Sequence, residues 1–323
     1  MPVTRRGYGA AVRGGFAEAR GDLLVMADAD ATYCLDELPR FIEAARGADF
    51  VMGTRFPGAG GIIHPGAMPP LHRWLGTPVL TALARLLFGT TASDVNCGFR
   101  AIRRDALARM QLRMIGMELA SEMVLKAALL RLRTNEVPVT LRRSPRTRVA
   151  HLRTWRDGWR HLRMMLLYSP KWLFGLPGVV LAAAGGVTLL ALARGPLQIG
   201  PTTFDTNTML VGAMAFLTGV QVTLLGLLAH TFVAEENLLP APTQRTPSPF
   251  EYGIAVGAIA LIIGIGLVGW AFAQWQQLGF GGLAGTGATR LVILGTTLVM
   301  LGVEFVSTAF LFGVLRLPRL GER

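Results

Sequence analysis

The chain has 323 residues, 51% of them hydrophobic, and a formal net charge of +12, with a mean hydropathy of +0.44. That is too apolar for an ordinary soluble protein and fits a soluble part joined to membrane spans. Cys34 and Cys97 are the only cysteines, which excludes a disulfide-stapled scaffold or a cysteine metal site and suits a reducing compartment.

The charge is unevenly placed. Residues 1–170 hold 25 Lys and Arg against 14 Asp and Glu, whereas residues 171–323 hold 7 against 6. A basic soluble part beside membrane predicts a cytoplasmic domain that meets anionic lipid and phosphorylated ligands. Nucleic acid is the other reading of a basic patch, but no nucleic-acid motif is present and no such partner is expected. No amino-terminal signal peptide is read, because the first apolar run is short and lies far from Arg5 and Arg6.

In chain order, residues 8–20 predict a close-packed helix stopped by Gly21. Leu23 to Met26 is a short apolar run suited to a strand buried on both faces. It ends in Asp28-Ala29-Asp30. Two carboxylates one residue apart at the end of a buried strand can hold a hard cation, Mg²⁺ or Mn²⁺, and through it a diphosphate. The plainer reading is a polar turn, since Asp is a common turn residue. Leu35 to Arg46 predicts a second helix and Asp49 to Gly53 a second buried strand, running into Thr54-Arg55-Phe56. Helix, strand, helix, strand is the wiring of a mostly parallel sheet, whose ligands sit at the carboxyl ends of the strands. Asp28, Asp30 and Arg55 then share one rim, where an Arg fork favours a phosphate.

Residues 57–70 hold four Gly and four Pro... a composition that predicts a mobile loop over the site. A helix from Leu71 to Phe88 follows, with Arg73 and Thr77 one turn apart on one face. Ser93 to Arg100 reads as a polar turn around Gly98. Glu118 and Glu122 sit on the next helix, and Asn135 to Leu141 predicts a strand. Arg142, Arg143, Arg146 and Arg148 form a basic loop. From His151 the pattern is helical, with Trp155, Trp159, Leu162 and Leu166 on one stripe and Arg156, Arg160 and Arg163 beside it. Indoles next to guanidinium groups suit a helix lying among lipid headgroups, against the alternative of a helix packed on its own domain.

Four apolar stretches follow, near 172–193, 208–233, 252–275 and 290–315, each close to the ~20 residues that a helical span needs. Arg245, Arg316, Arg319 and Arg323 would lie on the side of the basic domain, so both termini are expected in the cytoplasm, with the plasma membrane as the location. The proline-rich linker 237–250 should lie outside the bilayer. Glu304 falls deep in the fourth span, as a functional acid or as a neutral carboxyl bonded to a neighbouring span. The expected organisation is therefore an α/β domain over residues 1–150, an amphipathic interfacial helix over 151–170 and an all-α membrane domain of four transmembrane helices over 171–323.

Six pieces in register carry a resemblance. Gly7-Tyr8-Gly9-Ala10-Ala11, Arg20-Gly21-Asp22, Met26-Ala27-Asp28-Ala29-Asp30, Met52-Gly53-Thr54-Arg55-Phe56, Asp94-x-x-Cys97-Gly98-Phe99-Arg100 and Ser121-Glu122-Met123 occur in the order seen in glycosyltransferase family 2. The branch it resembles is that of polyprenyl-phosphate hexosyltransferases, the dolichyl-phosphate mannose and glucose synthase-like proteins. The resemblance implies a GT-A fold, Rossmann-like with a mostly parallel sheet, here partial, because the family's first strands and their nucleotide-binding turns are not seen before Met1. It implies that Asp28 and Asp30 hold the metal and the donor diphosphate, with Asp30 at the reacting centre. Some members place a metal-assisting Gln where this chain has Thr32. Arg55, Arg73 and Thr77 resemble the binders of the lipid phosphate, with Arg100 beside them. Arg148 resembles the basic residue of a later loop, although Arg146-Thr147-Arg148 departs from that loop's pattern. Asp94 and Glu122 are implied to line the sugar or acceptor pocket.

The expected function is transfer of a hexose from a nucleotide-diphosphate sugar to a polyprenyl phosphate, dolichyl or undecaprenyl, at a membrane. A phosphomonoester acceptor has its second pKa near ~6 and needs no strong base. Two other readings stay open. One keeps the donor but uses another lipid or a polysaccharide acceptor, whose neutral hydroxyl would need a base such as Asp94 or Glu122. The other is an inactive truncated remnant that serves only as a membrane partner.

Overall fold

A computed structural model describes residues 6–145, 154–235, 249–282 and 287–316. Arg148 with its basic loop and most of the proline-rich linker lie outside the described residues. The chain forms two compact units, the first spanning Met1–Ser169 and the second beginning at Pro170.

The first unit runs α1 (Tyr8–Glu18), β1 (Leu23–Met26), α2 (Leu38–Ala44), β2 (Phe50–Thr54), β3 (Ile62–Ile63), α3 (Thr77–Phe88), β4 (Arg100–Arg103), α4 (Arg104–Met110), α5 (Leu119–Leu129), β5 (Thr134–Pro138), β6 (Thr140–Leu141) and α6 (Thr154–Tyr168). A 3-10 turn, Leu35–Glu37, leads into α2, and a π-turn, His72–Gly76, leads into α3. The main sheet has the order β1-β4-β2-β5. Strands β2 and β5 are parallel, while β4 runs antiparallel to both β1 and β2. Three of the four strands thus share a direction, and the carboxyl ends of β1 and β2 fall on one edge. Although β1 and β2 follow one another in the chain, they are not neighbours in the sheet: β4 is wedged between them. The reason it hides in the sequence is chemical. Its residues Arg-Ala-Ile-Arg look like a surface turn, but the Arg103 guanidinium donates to the carbonyls of Ala45 and Ala48 and the Arg100 guanidinium is fully buried.

Alternation along the strands sorts the core into two layers. Leu24, Met26, Phe50, Met52 and Ile102 face a cluster with Leu119, Met123 and the α6 residues Met164, Met165 and Tyr168. Val51, Ala101 and Val137 face the other layer, where Phe41 stacks on Phe99 at 4.2 Å between ring centroids. The segment expected to be a mobile loop is pinned instead: Ile62 and Ile63 pair in parallel with Thr140 and Leu141.

Helix α6 has two different apolar faces. Asp157, His161, Met164, Met165 and Tyr168 are buried against the domain. Trp155 and Trp159 point away, 81% and 57% exposed, with Arg156, Arg160 and Arg163 also exposed. The domain-facing stripe is absent from the sequence reading, because an Asp and a His sit in it.

The second unit contains a π-turn, Lys171–Gly175, then α7 (Leu176–Leu192), a hairpin of β7 (Leu197–Ile199) and β8 (Thr202–Phe204), α8 (Thr206–Glu235), α9 (Pro249–Gln277) and α10 (Ala288–Leu315). Among the described residues, four helices are long and apolar enough to cross a membrane: Lys171–Leu192, Thr206–Glu235, Phe250–Gln277 and Ala288–Leu315. They pack mainly as two pairs, α7 on α8 and α9 on α10. Small residues let the backbones touch. A Cβ on Gly219 would lie 2.2 Å from the Ala182 nitrogen. An Asp205–Arg290 ion pair joins the starts of α8 and α10. Glu304 Oε2 is buried and has no hydrogen-bond partner among the described residues, so the bond to a neighbouring span expected for it is not seen at that oxygen.

Candidate active site

Strand β1 ends at Met26 and delivers Asp28 and Asp30 into a turn closed by Ala31, whose φ is 57°. Asp30 Oδ1 accepts hydrogen bonds from the Thr32 amide at 3.2 Å and the Thr32 hydroxyl at 2.5 Å. Thr32 thus shapes the Asp30 turn. Asp28 is half-buried, and its Oδ1 accepts a hydrogen bond from the Tyr8 hydroxyl of α1 at 3.0 Å. Its Oδ2 lies over Gly98, where a Cβ would sit only 2.5 Å away, so this approach requires glycine. The Gly98 amide donates to the Tyr33 hydroxyl at 2.9 Å. Burial pushes the Asp28 carboxyl above its usual range; the Tyr8 hydrogen bond pulls it back, and the Asp30 charge pushes it up again.

Each of the two carboxylates keeps an oxygen for which no protein donor is seen among the described residues. Among the described residues no group of three or more His, Cys, Asp or Glu side chains gathers as a metal cage. A pair of hard oxygen donors still fits Mg²⁺ or Mn²⁺, because Mg²⁺ commonly uses one or two carboxylates and completes its shell with water and substrate phosphates.

Arg55 follows β2 and lies close enough for its charge to lower the Asp28 pKa. Its guanidinium is held by Asp94 in a two-pronged pair, Nε to Oδ2 at 2.6 Å and Nη2 to Oδ1 at 2.9 Å. Burial is the largest single influence on the Arg55 pKa and draws it down, but the Asp94 charge, the Tyr33 hydroxyl and the Asp94 hydrogen bonds together more than offset it, so the guanidinium stays charged. Asp94 is fully buried and also receives the amides of Arg55 and Asn96. With both oxygens engaged by protein donors, Asp94 holds Arg55 in position.

Arg73 lies in the π-turn with its guanidinium 5.2 Å from the centroid of the exposed Trp74 ring. Thr77 opens α3, buried, with Asn96 Nδ2 at 3.5 Å from its hydroxyl. Beside Arg73, His72 Nε2 is 3.0 Å from the Thr154 hydroxyl of α6, and burial together with the Arg55 charge lowers the His72 pKa. Arg55 and Thr77 thus meet the same turn, through Asp94 and Asn96, while Arg73 lies in the π-turn that leads into Thr77.

Arg100 and Glu122 are placed elsewhere. Arg100 spends its guanidinium on three backbone carbonyls, those of Cys97 and Val95 at 2.8 Å each and that of Ala120. Three of its five N–H donors are thus spent on the fold, and the guanidinium is fully buried, so Arg100 acts as a structural brace rather than in the substrate-binding role expected of it. Glu122 accepts the amides of Arg113 and Met114 at 2.9 Å each, pairs with Lys126 at 3.0 Å and takes the Tyr168 hydroxyl at 3.3 Å. This carboxylate fastens the 111–116 loop and α6 to α5, which corrects its expected catalytic role. Arg148 cannot be placed against the others, since it lies outside the described residues. Tyr8, Asn96, Ser121 and His161 were given no role by the sequence reading; only Tyr8 and Ser121 carried a signal, inside the Gly-Tyr-Gly and Ser-Glu-Met pieces.

Comparison with known proteins gives two family matches, Glycosyl transferase family 2 over residues 2–110 and the Glycosyltransferase family 2 C-terminal transmembrane region over residues 227–316. The chain is 35% identical over 322 residues to a low-salt glycan biosynthesis hexosyltransferase of Haloferax volcanii, covering 96% of this chain and 74% of that one. It is 33% identical over 144 residues to an undecaprenyl-phosphate mannosyltransferase of Micrococcus luteus, covering 43% of this chain and 58% of the relative. It is similarly 33% identical over 144 residues to a dolichol-phosphate mannosyltransferase of Saccharomyces cerevisiae, covering 43% and 52%.

Proposed function

The chain belongs to glycosyltransferase family 2 and is a multi-pass membrane protein, and from that premise we propose that it moves a hexose from a nucleotide-diphosphate sugar to a polyprenyl phosphate. The observation that carries the proposal is the pair Asp28 and Asp30 on the same sheet edge as the Arg55 fork. The printed names of the relatives, a hexosyltransferase and two polyprenyl-phosphate mannosyltransferases, point the same way.

Asp28 and Asp30 would hold Mg²⁺ or Mn²⁺, which when bound offsets the charge of the leaving diphosphate. Tyr8 and Gly98 fix where the Asp28 oxygens lie. Arg55, positioned by Asp94, joins Arg73 and Thr77 in holding the acceptor phosphate. Preorganised charge of this kind is worth most where it meets charge that moves in the transition state. An ionised phosphate attacks without a base. The engagement of Asp94 and Glu122 by other partners suits such an acceptor, whereas a neutral hydroxyl acceptor would need one of them free. The exposed Trp74, Trp155 and Trp159 beside arginines suit the headgroup layer, and the basic first unit suits the cytoplasmic face of the plasma membrane, with both termini on that side.

Membranes holding the full chain, supplied with labelled sugar nucleotides and polyprenyl phosphate, should yield one labelled lipid in the presence of Mg²⁺ or Mn²⁺. Asp30→Asn should abolish it; unchanged turnover would remove that carboxylate from the reaction. Arg55→Ala should raise the KM for the lipid phosphate more than that for the donor, and the reverse order would reassign Arg55.

A further inference from the structure

Three side chains behind Thr77 form a hydrogen-bonded line that the proposed reaction does not use. Asn96 Nδ2 lies 3.5 Å from Thr77 Oγ1, Asn96 Oδ1 lies 3.3 Å from Ser121 Oγ, and Ser121 Oγ lies 2.7 Å from His161 Nδ1. The line crosses from α3 through the 93–99 turn and α5 to α6, entirely within the first unit. Ser121 is fully buried and His161 is 6% exposed, so water does not compete for their link, while Asn96 is half-buried.

The donors and acceptors set a direction. An amide oxygen can only accept, so the single Ser121 proton goes to Asn96 Oδ1. Ser121 must then receive its own bond from a proton on His161 Nδ1. At the other end, the Asn96 amide donates to the Thr77 oxygen. Among the described residues no acceptor takes the Thr77 hydroxyl proton. Burial brings the His161 pKa down to about 4 against the pull of Glu118 and Asp157, so the ring is neutral at neutral pH and holds one proton, the one this line requires at Nδ1.

We infer that His161, Ser121 and Asn96 are positioning residues that turn the Thr77 hydroxyl outward as a donor to the acceptor phosphate. The inference rests on the reading of Thr77 as a phosphate ligand. If the line ran the other way, Thr77 would spend its proton on Asn96 and present lone pairs to an anion. The helix whose outer face carries Trp155 and Trp159 therefore also sets the chemistry of one phosphate contact, through His161 on its inner face.

The test uses the full chain in bilayers, with polyprenyl phosphate and donor varied separately. Asn96→Asp keeps the shape but offers only acceptors, which forces the Thr77 proton inward. The acceptor KM should rise about tenfold or more, the worth of one hydrogen bond to a charged group, with donor KM and melting temperature unchanged. In a Thr77→Val background the same change should add nothing, because no hydroxyl remains to turn. An Asn96→Asp effect that persists in that background would be plain charge repulsion and would overturn the relay. Thr77→Val with wild-type acceptor KM would overturn the phosphate-site reading itself. Should Asn96→Asp fail to fold, Ser121→Ala breaks the line without adding charge; it should raise acceptor KM only when Thr77 is present, and an unchanged KM would overturn the relay. His161→Asn, which keeps an N–H near the Nδ1 position, should retain wild-type acceptor KM, whereas His161→Leu should not; equal behaviour of the two would also overturn it.

Discussion

His161 gives the sharpest prediction on stability. Its pKa falls from 6.5 to about 4 on burial, so the unfolded chain takes up the proton first as pH drops. The stabilisation is complete above about pH 6.5 and is lost as pH falls through that window toward the folded value. Between pH 7 and pH 5 the linkage comes to about 2 kcal/mol, from the two pKa values and 1.36 kcal/mol per unit. For a unit of this size that is roughly 4–8 °C in melting temperature. Asp28 works in the opposite sense, since its raised carboxyl is relieved of strain as pH falls. The His161 share is therefore read as a difference. Melting curves of the detergent-solubilised full chain, wild type against His161→Asn, should diverge: the wild type should lose about 4–8 °C more than the variant between pH 7 and pH 5. Equal losses would refute the claim that a neutral, buried imidazole ties α6 to the domain.

Further expected outcomes concern the carboxylate pair, the core and the outer face of α6. Tyr8→Phe removes the donor to Asp28 Oδ1 and should weaken Mn²⁺ binding, followed by Mn²⁺ electron paramagnetic resonance, by about ten- to a hundredfold. Unchanged Mn²⁺ affinity would detach Tyr8 from the site. Arg100→Met leaves three buried carbonyls without donors and should cost about 3 kcal/mol or more, seen as loss of folded protein in expression and thermal-melting assays. A stable variant with altered acceptor KM would restore Arg100 to substrate binding. Trp155→Ser with Trp159→Ser should lower transfer to long-chain polyprenyl phosphate in bilayers severalfold but spare a water-soluble short-chain phosphate; an equal effect on both would deny these indoles a lipid contact.

The parts of this fold that were legible in the sequence are those written in periodicity. The apolar runs Leu23–Met26 and Phe50–Thr54 emerge as strands because nothing polar interrupts them, and the four long apolar helices are visible for the same reason. Strand β4 was not legible because two arginines begin and end it, and only tertiary structure supplies the carbonyls that let them be buried. Asp28, Asp30, Arg55 and Thr77 could be picked out as residue types at strand ends and helix starts. The commitment of Asp94 to Arg55 and of Glu122 to the 111–116 loop could not, since a carboxylate's partners across such separations leave no spacing pattern. The inner stripe of α6 was masked by Asp157 and His161, polar residues whose burial depends on neighbours from other elements.

The wedged position of β4 also governs the order of assembly during synthesis. Within the main sheet β1 has β4 as its neighbour, and β2 lies between β4 and β5; both partners emerge later than the strands they join. The ribosome releases β1 and β2 with their ladder bonds unmade, and these can close only after the chain has looped out and come back at Arg100. Until then two short apolar strands are exposed to aggregation, and the first long apolar helix begins at Lys171, soon after the sheet can close. Slowing elongation between Thr54 and Arg100 would lengthen that exposure, whereas a pause placed after β5 would leave time for the domain to consolidate before insertion into the bilayer starts.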